Sequence, residues 1–173
     1  MKKPQVSDGA FVEYVEQSQS KLRGYAYRLC GEWPAADDLT QATLAILYRR
    51  WPALDPHCAI TAYARKIMLR EFLYGPDAAR RQRELPSDLL PEPELFDSSD
   101  DICTRLMVRH AMTMLPPAHR AATVLRFWHG LTTPEIADRL GWPVGTVRSY
   151  LSRSVAALRP VLRTAENCQA DKQ

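Results

Sequence analysis

The chain has 173 residues, of which 46% are hydrophobic and 25% are charged, and its formal net charge is +3 at pH 7. This length fits one large or two small domains, and the composition is that of a folded globular protein rather than a disordered one. No apolar run is long enough to cross a membrane, and no apolar segment follows Lys2 and Lys3 as it would in a signal peptide. We therefore expect a cytoplasmic protein without membrane insertion.

The sequence carries no recognisable metal or catalytic motif. Its four cysteines are scattered, without a Cys-x-x-Cys pair and without histidines at zinc-ligand spacing, which predicts reduced thiols, no metal and no cofactor. A glycine-rich phosphate loop is absent, and none of the four histidines lies in a catalytic motif. An enzyme is one alternative for this chain, but we do not expect it to be one.

The first half of the chain has the apolar periodicity of three amphipathic helices, at residues 10–30, 35–50 and 60–74. The second of these helices should begin after Pro34, with Leu39 and Ala42 facing the core. Asp37 and Asp38 then fall in its first turn, where carboxylates complement the helix dipole. This half of the chain is predicted to form a small all-α domain.

A change in composition separates the two halves. Residues 84–101 contain seven acids and three prolines but no Lys or Arg, and no apolar periodicity. Such a segment is typical of an extended, poorly ordered linker. Two more helices are predicted at residues 101–115 and 118–128, with Trp128 on the buried side of the second. The fold class is therefore all-α, with two small helical domains on a flexible tether.

Residues 131–163 have the pattern of a helix-turn-helix. Thr132 and Glu135 have the spacing of a capping box, and Gly141 stands where a helix ends in a left-handed residue. A second helix is expected to open at Gly145 and to end or kink at Pro160. Its buried stripe should consist of Val147, Leu151, Val155 and Leu158.

The opposite face of this second helix is suited to DNA. It carries Arg148, Ser149, Ser152 and Arg153, and residues 139–163 include five arginines and no acid. Short hydroxyl side chains let a helix lie close in the major groove, and arginine can bind guanine or phosphate in bidentate fashion. A solvated basic face is the alternative interpretation, but the spacing of Ala137, Gly141 and Val147 is typical of a DNA-binding helix-turn-helix.

Two segments resemble the extracytoplasmic-function (ECF) RNA polymerase sigma factors. Residues 115–159 are similar to the promoter-binding sigma-4 domain, with L-P-P-A-H-R, followed by L-T-T-P-E-I-A-D-R-L-G-W-P-V-G-T-V-R-S-Y-L-S-R. Residues 35–51, A-A-D-D-L-T-Q-A-T-L-A-I-L-Y-R-R-W, resemble the polymerase-binding helix of the sigma-2 domain, and their Tyr-Arg-Arg-Trp end is nearest to the actinobacterial SigE-like subgroup. The resemblance implies a sigma-2-like domain at residues 8–75, an acidic linker at 76–101, a sigma-4-like domain at 102–164 and a disordered tail at 165–173.

The resemblance also implies roles for particular residues. The β′ coiled coil of core polymerase would be bound by Asp38, Leu39 and Gln41, although Leu39 could simply be a core residue and Asp38 a dipole complement. The −10 promoter element, with a flipped base, would be read by Asp55, His57, Cys58, Tyr63, Arg65, Lys66 and Arg70. The −35 element would be read by Thr146, Arg148, Ser149, Tyr150, Ser152 and Arg153. Three of the matched positions differ from the family's usual residues, namely Ala42, Arg70 and Tyr150.

The implied function is transcription initiation. The implied partners are core RNA polymerase, through its β′ coiled coil and β flap, promoter DNA, and an anti-sigma factor. A stand-alone helix-turn-helix regulator that binds an operator is the other class we consider. It would leave the Asp-Asp-Leu-Thr-Gln helix of the first half without a role, and no dimerising heptad is visible.

Overall fold

A computed structural model gives the structure of the protein over residues 8–54, 59–78 and 100–170. The chain divides into two compact units, Met1–Ala78 (unit 1) and Ala79–Gln173 (unit 2). Unit 1 contains α1 (Asp8–Cys30), α2 (Trp33–Arg50), a 3-10 turn (Trp51–Ala53) and α3 (Ile60–Tyr74). Unit 2 contains α4 (Asp100–Met114), α5 (Pro117–Phe127), α6 (Thr133–Leu140) and α7 (Val144–Ala170). The described residues include no β-strand, so the predicted all-α class is confirmed.

The core of unit 1 lies where α1, α2 and α3 meet. Each helix contributes one apolar stripe, and the largest side chains without solvent exposure include Leu22, Leu29, Leu47, Met68 and Phe72. Complete burial of such a side chain stabilises a fold by about 1.5–3 kcal/mol, so these few residues supply much of the driving force for a unit of this size. Packing on one stripe leaves the opposite faces of α2 and α3 free to bind partners.

The start of α2 differs from the prediction. The helix begins at Trp33, two residues early, and Pro34 occupies its first turn, where a missing N–H costs no hydrogen bond. Asp37 therefore lies in the second turn, where it pairs with Arg23 of α1 through a bidentate contact with Nη2–Oδ2 at 3.0 Å. The hydrogen bond from Arg23 lowers the pKa of Asp37. The dipole interpretation of this acid is wrong, and so is the core placement of Ala42, which is exposed.

The core of unit 2 is formed by α4 and α5 packed on α7, with α6 completing it. Its buried side chains include Val124, Leu125, Ile136 and Val147. Trp128, in contrast, is 45% exposed, so its predicted burial is wrong. The residue caps the C-terminus of α5, where its N–H bonds to the carbonyl of Val124, and it has already left the stripe that α5 buries.

The buried stripe of α7 also differs at one position. Val155 is 38% exposed, whereas the neighbouring Ser154 is completely buried. Ser154 can occupy an apolar core because its hydroxyl donates to the carbonyl of Tyr150 at 2.8 Å. The helical period places Val147, Leu151, Ser154 and Leu158 on one side. The prediction chose Val155 instead of the adjacent Ser154 because valine is the more hydrophobic residue.

The last helix is longer than expected. It continues past Pro160 to Ala170, so the predicted disordered tail at residues 165–173 is wrong for residues 165–170. A proline inside a helix removes one backbone hydrogen bond and costs about 3 kcal/mol, but it does not oblige the helix to end. Buried Leu158 and half-buried Val161 hold the helix on both sides of Pro160.

The division between the units falls within the predicted linker of residues 76–101, most of which lies outside the described residues.

Candidate nucleic-acid and protein interfaces

The helix-turn-helix of unit 2 begins with a complete capping box. The backbone N–H of Thr132 donates to Glu135 Oε2 at 2.7 Å, and the N–H of Glu135 donates to Thr132 Oγ1 at 3.5 Å. The hydroxyl of Thr132 also donates to Glu135 Oε2, at 2.6 Å. This bond first, and then the one from the backbone N–H of Thr132, lower the pKa of Glu135. The box satisfies backbone donors at the start of α6, as the sequence predicted.

The turn that follows α6 depends on Gly141. Its backbone is left-handed, with φ 68° and ψ 32°. This conformation lets the N–H of Trp142 bond to the carbonyl of Ala137 at 3.0 Å and sends the chain toward α7. The carbonyl of Pro143 then accepts from Thr146 and Val147, at 3.0 and 3.2 Å. The start of α7 is therefore held at a fixed place relative to α6.

We expect Gly141→Ala to lower the free energy of unfolding of unit 2 by about 1–2 kcal/mol, because a Cβ strains a left-handed residue. The added Cβ would meet no atom within 4 Å, so the cost comes from the backbone alone. Gly145→Ala is the matched control, since Gly145 is helical and equally open, and there alanine should stabilise by up to about 1 kcal/mol. Urea denaturation of both variants measures the difference. Equal effects would show that the turn does not require glycine.

The outer face of α7 is open to solvent. Arg148, Ser149, Ser152 and Arg153 are all exposed, as predicted, while Val147 on the opposite side is completely buried. Thr146, in the first turn, is half-buried. Two hydroxyls therefore lie between two arginines on one helix surface, an arrangement that can approach a DNA groove and bind both base edges and phosphates.

Tyr150 has a different environment from these four residues. It is half-buried, and its ring packs against His119 of α5 with ring centroids 4.5 Å apart. Trp142 of the turn meets the same ring edge-on at 5.5 Å. Burial, and then the charge of Arg153, lower the pKa of His119, which favours the neutral imidazole. The ring of Tyr150 thus fixes α7 against α5 and the turn.

A groove of about 600 Å³ runs along one side of α7. Two of its apolar side chains are unusually open, with Phe127 61% and Val155 38% exposed. It is lined by Arg126, Phe127, Thr133, Arg148, Leu151, Ser152, Val155, Ala156 and Arg159. Exposed apolar surface next to three arginines is the character of a protein-binding surface at the edge of the DNA-facing helix.

The predicted polymerase-binding residues of α2 do not share one environment. Asp38 and Gln41 are exposed, whereas Leu39 is only 4% exposed. The side chain of Leu39 therefore belongs to the core of unit 1, as the alternative interpretation had it. Exposed Ala42 and Ala45 continue the same open face of the helix.

The predicted −10 residues are only partly brought together. Tyr63, Lys66 and Arg70 follow one another at three- and four-residue spacing, so they share one face of α3. Arg65 points elsewhere, with its guanidinium 5.9 Å from the ring centroid of Tyr25. The other three candidates, Asp55, His57 and Cys58, lie outside the described residues.

Sequence reasoning missed one contributor to this surface. Arg50, at the end of α2, donates from Nη1 to the hydroxyl of Tyr63 at 2.7 Å. The sequence offered only a basic residue near a helix C-terminus, where the dipole alone accounts for it. The contact places a second cation beside the candidate stacking residue of α3.

The described part of the chain lacks two other kinds of site. None of its helices is long and apolar enough to cross a membrane. Within the same residues, no three His, Cys, Asp or Glu side chains are grouped so as to hold a metal ion.

Comparison with known proteins assigns both units. Residues 14–84 match the family model of sigma-70 region 2, and residues 105–158 match that of sigma-70 region 4. The chain is 35% identical over 152 residues to the RNA polymerase sigma-E factor of Streptomyces coelicolor, covering 88% of this chain and 85% of that protein. It is 31% identical over 155 residues to the ECF RNA polymerase sigma factor SigL of Mycobacterium tuberculosis, covering 86% of each.

Solved structures agree on the fold. The sigma factor RpoE of Bartonella quintana, crystallised with the anti-sigma factor NepR, matches with a TM-score of 0.63 and 23% identity, over 88% of this chain and 96% of that one. CnrH, solved with the cytosolic domain of CnrY, matches with a TM-score of 0.58 and 21% identity, over 91% and 90%. The stand-alone regulator is not favoured, because both sigma regions are present in order. The chain belongs to the ECF group of sigma-70 family RNA polymerase sigma factors and is a promoter-recognising sigma factor.

Proposed function

We propose that the two units divide the work of promoter recognition. Residues 8–75 bind core RNA polymerase through α2 and the −10 element through α3, and residues 102–164 bind the −35 element through α7. Residues 76–101 link them. The observation that carries this proposal is the solvent-exposed Arg-Ser-Ser-Arg face of α7, on a helix fixed by the Gly141 turn.

At the −35 element, α7 enters the major groove with Ser149 and Ser152 nearest the bases. Arg148 and Arg153 flank them and contact guanine or phosphate, and Thr146 supports a phosphate contact near the helix start. Tyr150 acts through its packing on His119, which keeps the helix at its angle. Because this ring is half-buried, the DNA contacts fall to the four exposed residues and to Thr146.

At the −10 element, α3 receives the separated non-template strand. Tyr63 offers a ring on which a base stacks, and Lys66 and Arg70, on the same face, contact the backbone. Arg50 holds the hydroxyl of Tyr63 and adds a positive charge beside it. Asp55, His57 and Cys58 shape the pocket for a flipped base. Such a pocket must offset the few kcal/mol that unstacking a base costs.

Core polymerase is bound by the exposed face of α2, where Asp38 and Gln41 meet the β′ coiled coil. Leu39 contributes indirectly, because its buried side chain packs α2 on the core of unit 1 and so positions the exposed face. An anti-sigma factor, as NepR is in the complex with RpoE, would bind by covering these surfaces in the cytoplasm.

We expect Gln41→Ala to weaken binding to core polymerase by roughly 3- to 10-fold, because an exposed amide that bonds across an interface contributes about 0.5–1.5 kcal/mol. The melting temperature should not change, since Gln41 is exposed. A pull-down titration of the full chain against core enzyme measures the affinity. Affinity equal to that of the unaltered chain would remove Gln41 from the interface, and loss of the fold would make it structural.

The whole proposal is tested by reconstitution. The purified chain, core polymerase and a promoter library are combined, and the transcript starts are sequenced. We expect starts downstream of shared −35 and −10 elements, and tight promoter binding only when core enzyme is present. Tight, specific binding of one short site by the protein alone, without an effect of polymerase, would instead support an operator-binding regulator.

A further inference from the structure

A set of stacked side chains joins α1 to the start of α2 and includes none of the residues assigned so far. The rings of Tyr27 and Trp33 stack with centroids 4.0 Å apart and planes inclined by 22°. The guanidinium of Arg23 lies over the indole of Trp33, 4.3 Å from its centroid, and also bonds to Asp37 with Nη2–Oδ2 at 3.0 Å. We call Tyr27, Trp33, Arg23 and Asp37 the Trp33 ladder.

Trp33 is held in place but not covered. The side chain is 45% exposed although it has an aromatic neighbour and a cation against it. Arg23 is itself fixed by the carboxylate of Asp37, so the orientation of the indole is set before any partner binds. A large aromatic side chain that is ordered in advance loses little conformational entropy on binding, which is the property of an interface anchor.

The position of the ladder shows which surface it extends. Trp33, Asp37 and Gln41 follow at four-residue intervals, so they form one ridge along α2. Ala45 continues this ridge and Ala42 lies on the neighbouring ridge after Asp38, and both are small, which allows a partner helix to lie close. The far end of this face is marked by Tyr48, 48% exposed and packed on Phe11 at 4.9 Å.

We infer that Trp33 is an anchor of the contact with core RNA polymerase, inserted in an apolar recess of the helical segment that binds α2. The inference rests on the proposed function, in which α2 binds core enzyme. The partner surface should combine an apolar recess for the indole with a basic or amide side chain opposite Asp38. The pre-ordered ladder makes Trp33, rather than Gln41, the residue with the larger share of the binding energy.

The test measures binding of the full chain to core polymerase without DNA. Trp33→Ala should weaken binding on the order of 30-fold, the size typical of an interface hot spot. Trp33→Phe should weaken it less, because a smaller ring keeps part of the contact. Tyr74→Ala, at the end of α3 and 63% exposed, is the control for loss of an exposed aromatic residue and should bind normally. Melting curves report whether each variant is folded.

Hydroxyl-radical footprinting of the unaltered chain gives an independent readout. Oxidation of Trp33 should fall when core enzyme is added, whereas oxidation of Tyr74 should not. If Trp33→Ala binds normally while Gln41→Ala is weakened, the anchor is wrong and the proposed role of α2 stands. If both variants bind normally, the proposed role of α2 fails with it. Should Trp33→Ala be unfolded, Trp33→Phe and the footprint decide, and an unprotected Trp33 overturns the inference.

Discussion

Replacing Arg120 by methionine should lower the free energy of unfolding of unit 2 by about 2–5 kcal/mol, although Arg120 is not among the DNA-contacting residues. The residue lies on α5 and is only 9% exposed. Its Nη2 donates to the carbonyls of Thr113 and Leu115, the latter at 3.1 Å, where α4 ends. A cation suits the negative end of a helix dipole, and two carbonyl bonds compensate for its burial.

Methionine keeps much of the length of the side chain but removes the Nη2 donor, so the carbonyls of half-buried Thr113 and buried Leu115 lose their partner. Because a small domain is stable by only about 5–15 kcal/mol, the loss should be visible as a lower denaturation midpoint and as reduced −35 binding. Arg126→Met is the control on the same helix. Its guanidinium also donates to a carbonyl, that of Leu131 at 3.0 Å, but the contact is exposed. Its replacement should cost less than about 1 kcal/mol. Equal losses in the two variants would contradict a special role for burial.

Local signals were sufficient to predict that each helix exists and, for α3, where it begins and ends. Residues 60–74 were predicted as a helix and form α3 with those bounds, because apolar periodicity ends there at Gly75. The capping box at Thr132 and the left-handed Gly141 were also predicted, because each depends on residues within one helical turn. Signals of this kind need no knowledge of what packs against what.

Contacts between distant residues could not be predicted in the same way. The bond from Arg50 to Tyr63 spans 13 positions, and the pair of Arg23 with Asp37 spans 14. Nothing in the sequence around either member of these pairs indicates which residue its partner is. Ser154 shows a different limit of the prediction. A serine is polar by residue type, and its burial is possible here because its hydroxyl donates to a backbone carbonyl of the same helix. The Trp33 ladder likewise depends on contacts between α1 and α2 that the sequence did not indicate.

The proposed binding of the −35 element by α7 leads to a prediction that distinguishes two of its arginines. Arg148 and Arg153 are five residues apart and so lie about 140° from each other around α7, on the two sides of Ser149 and Ser152. Arg148 lines the groove next to Ser152, nearer the helix start that enters DNA. Arg153 lies on the side of His119, whose pKa its charge lowers. We expect Arg148 to bind a base edge and Arg153 to bind phosphate.

A bidentate contact with guanine contributes about 1–3 kcal/mol, so Arg148→Ala should reduce transcription from an intact −35 element by roughly 5- to 150-fold and relax the preference at one base. Arg153→Ala should weaken all −35 sequences alike and reduce the salt dependence of binding by about one counterion. Arg163→Ala, exposed further along the same helix, is the control and should change neither base preference nor output strongly.

The measurement is transcription by holoenzyme carrying each variant, on a library in which every −35 base is varied, together with a salt titration of promoter binding. The two arginine contacts give different results. Loss of a base contact changes the base preference at one −35 position, whereas loss of a phosphate contact changes only the dependence of promoter affinity on salt concentration. An Arg148→Ala enzyme with unchanged base preference would assign that residue to phosphate. If both variants kept the preference and the slope of the unaltered protein, α7 would not be the helix that reads the −35 element.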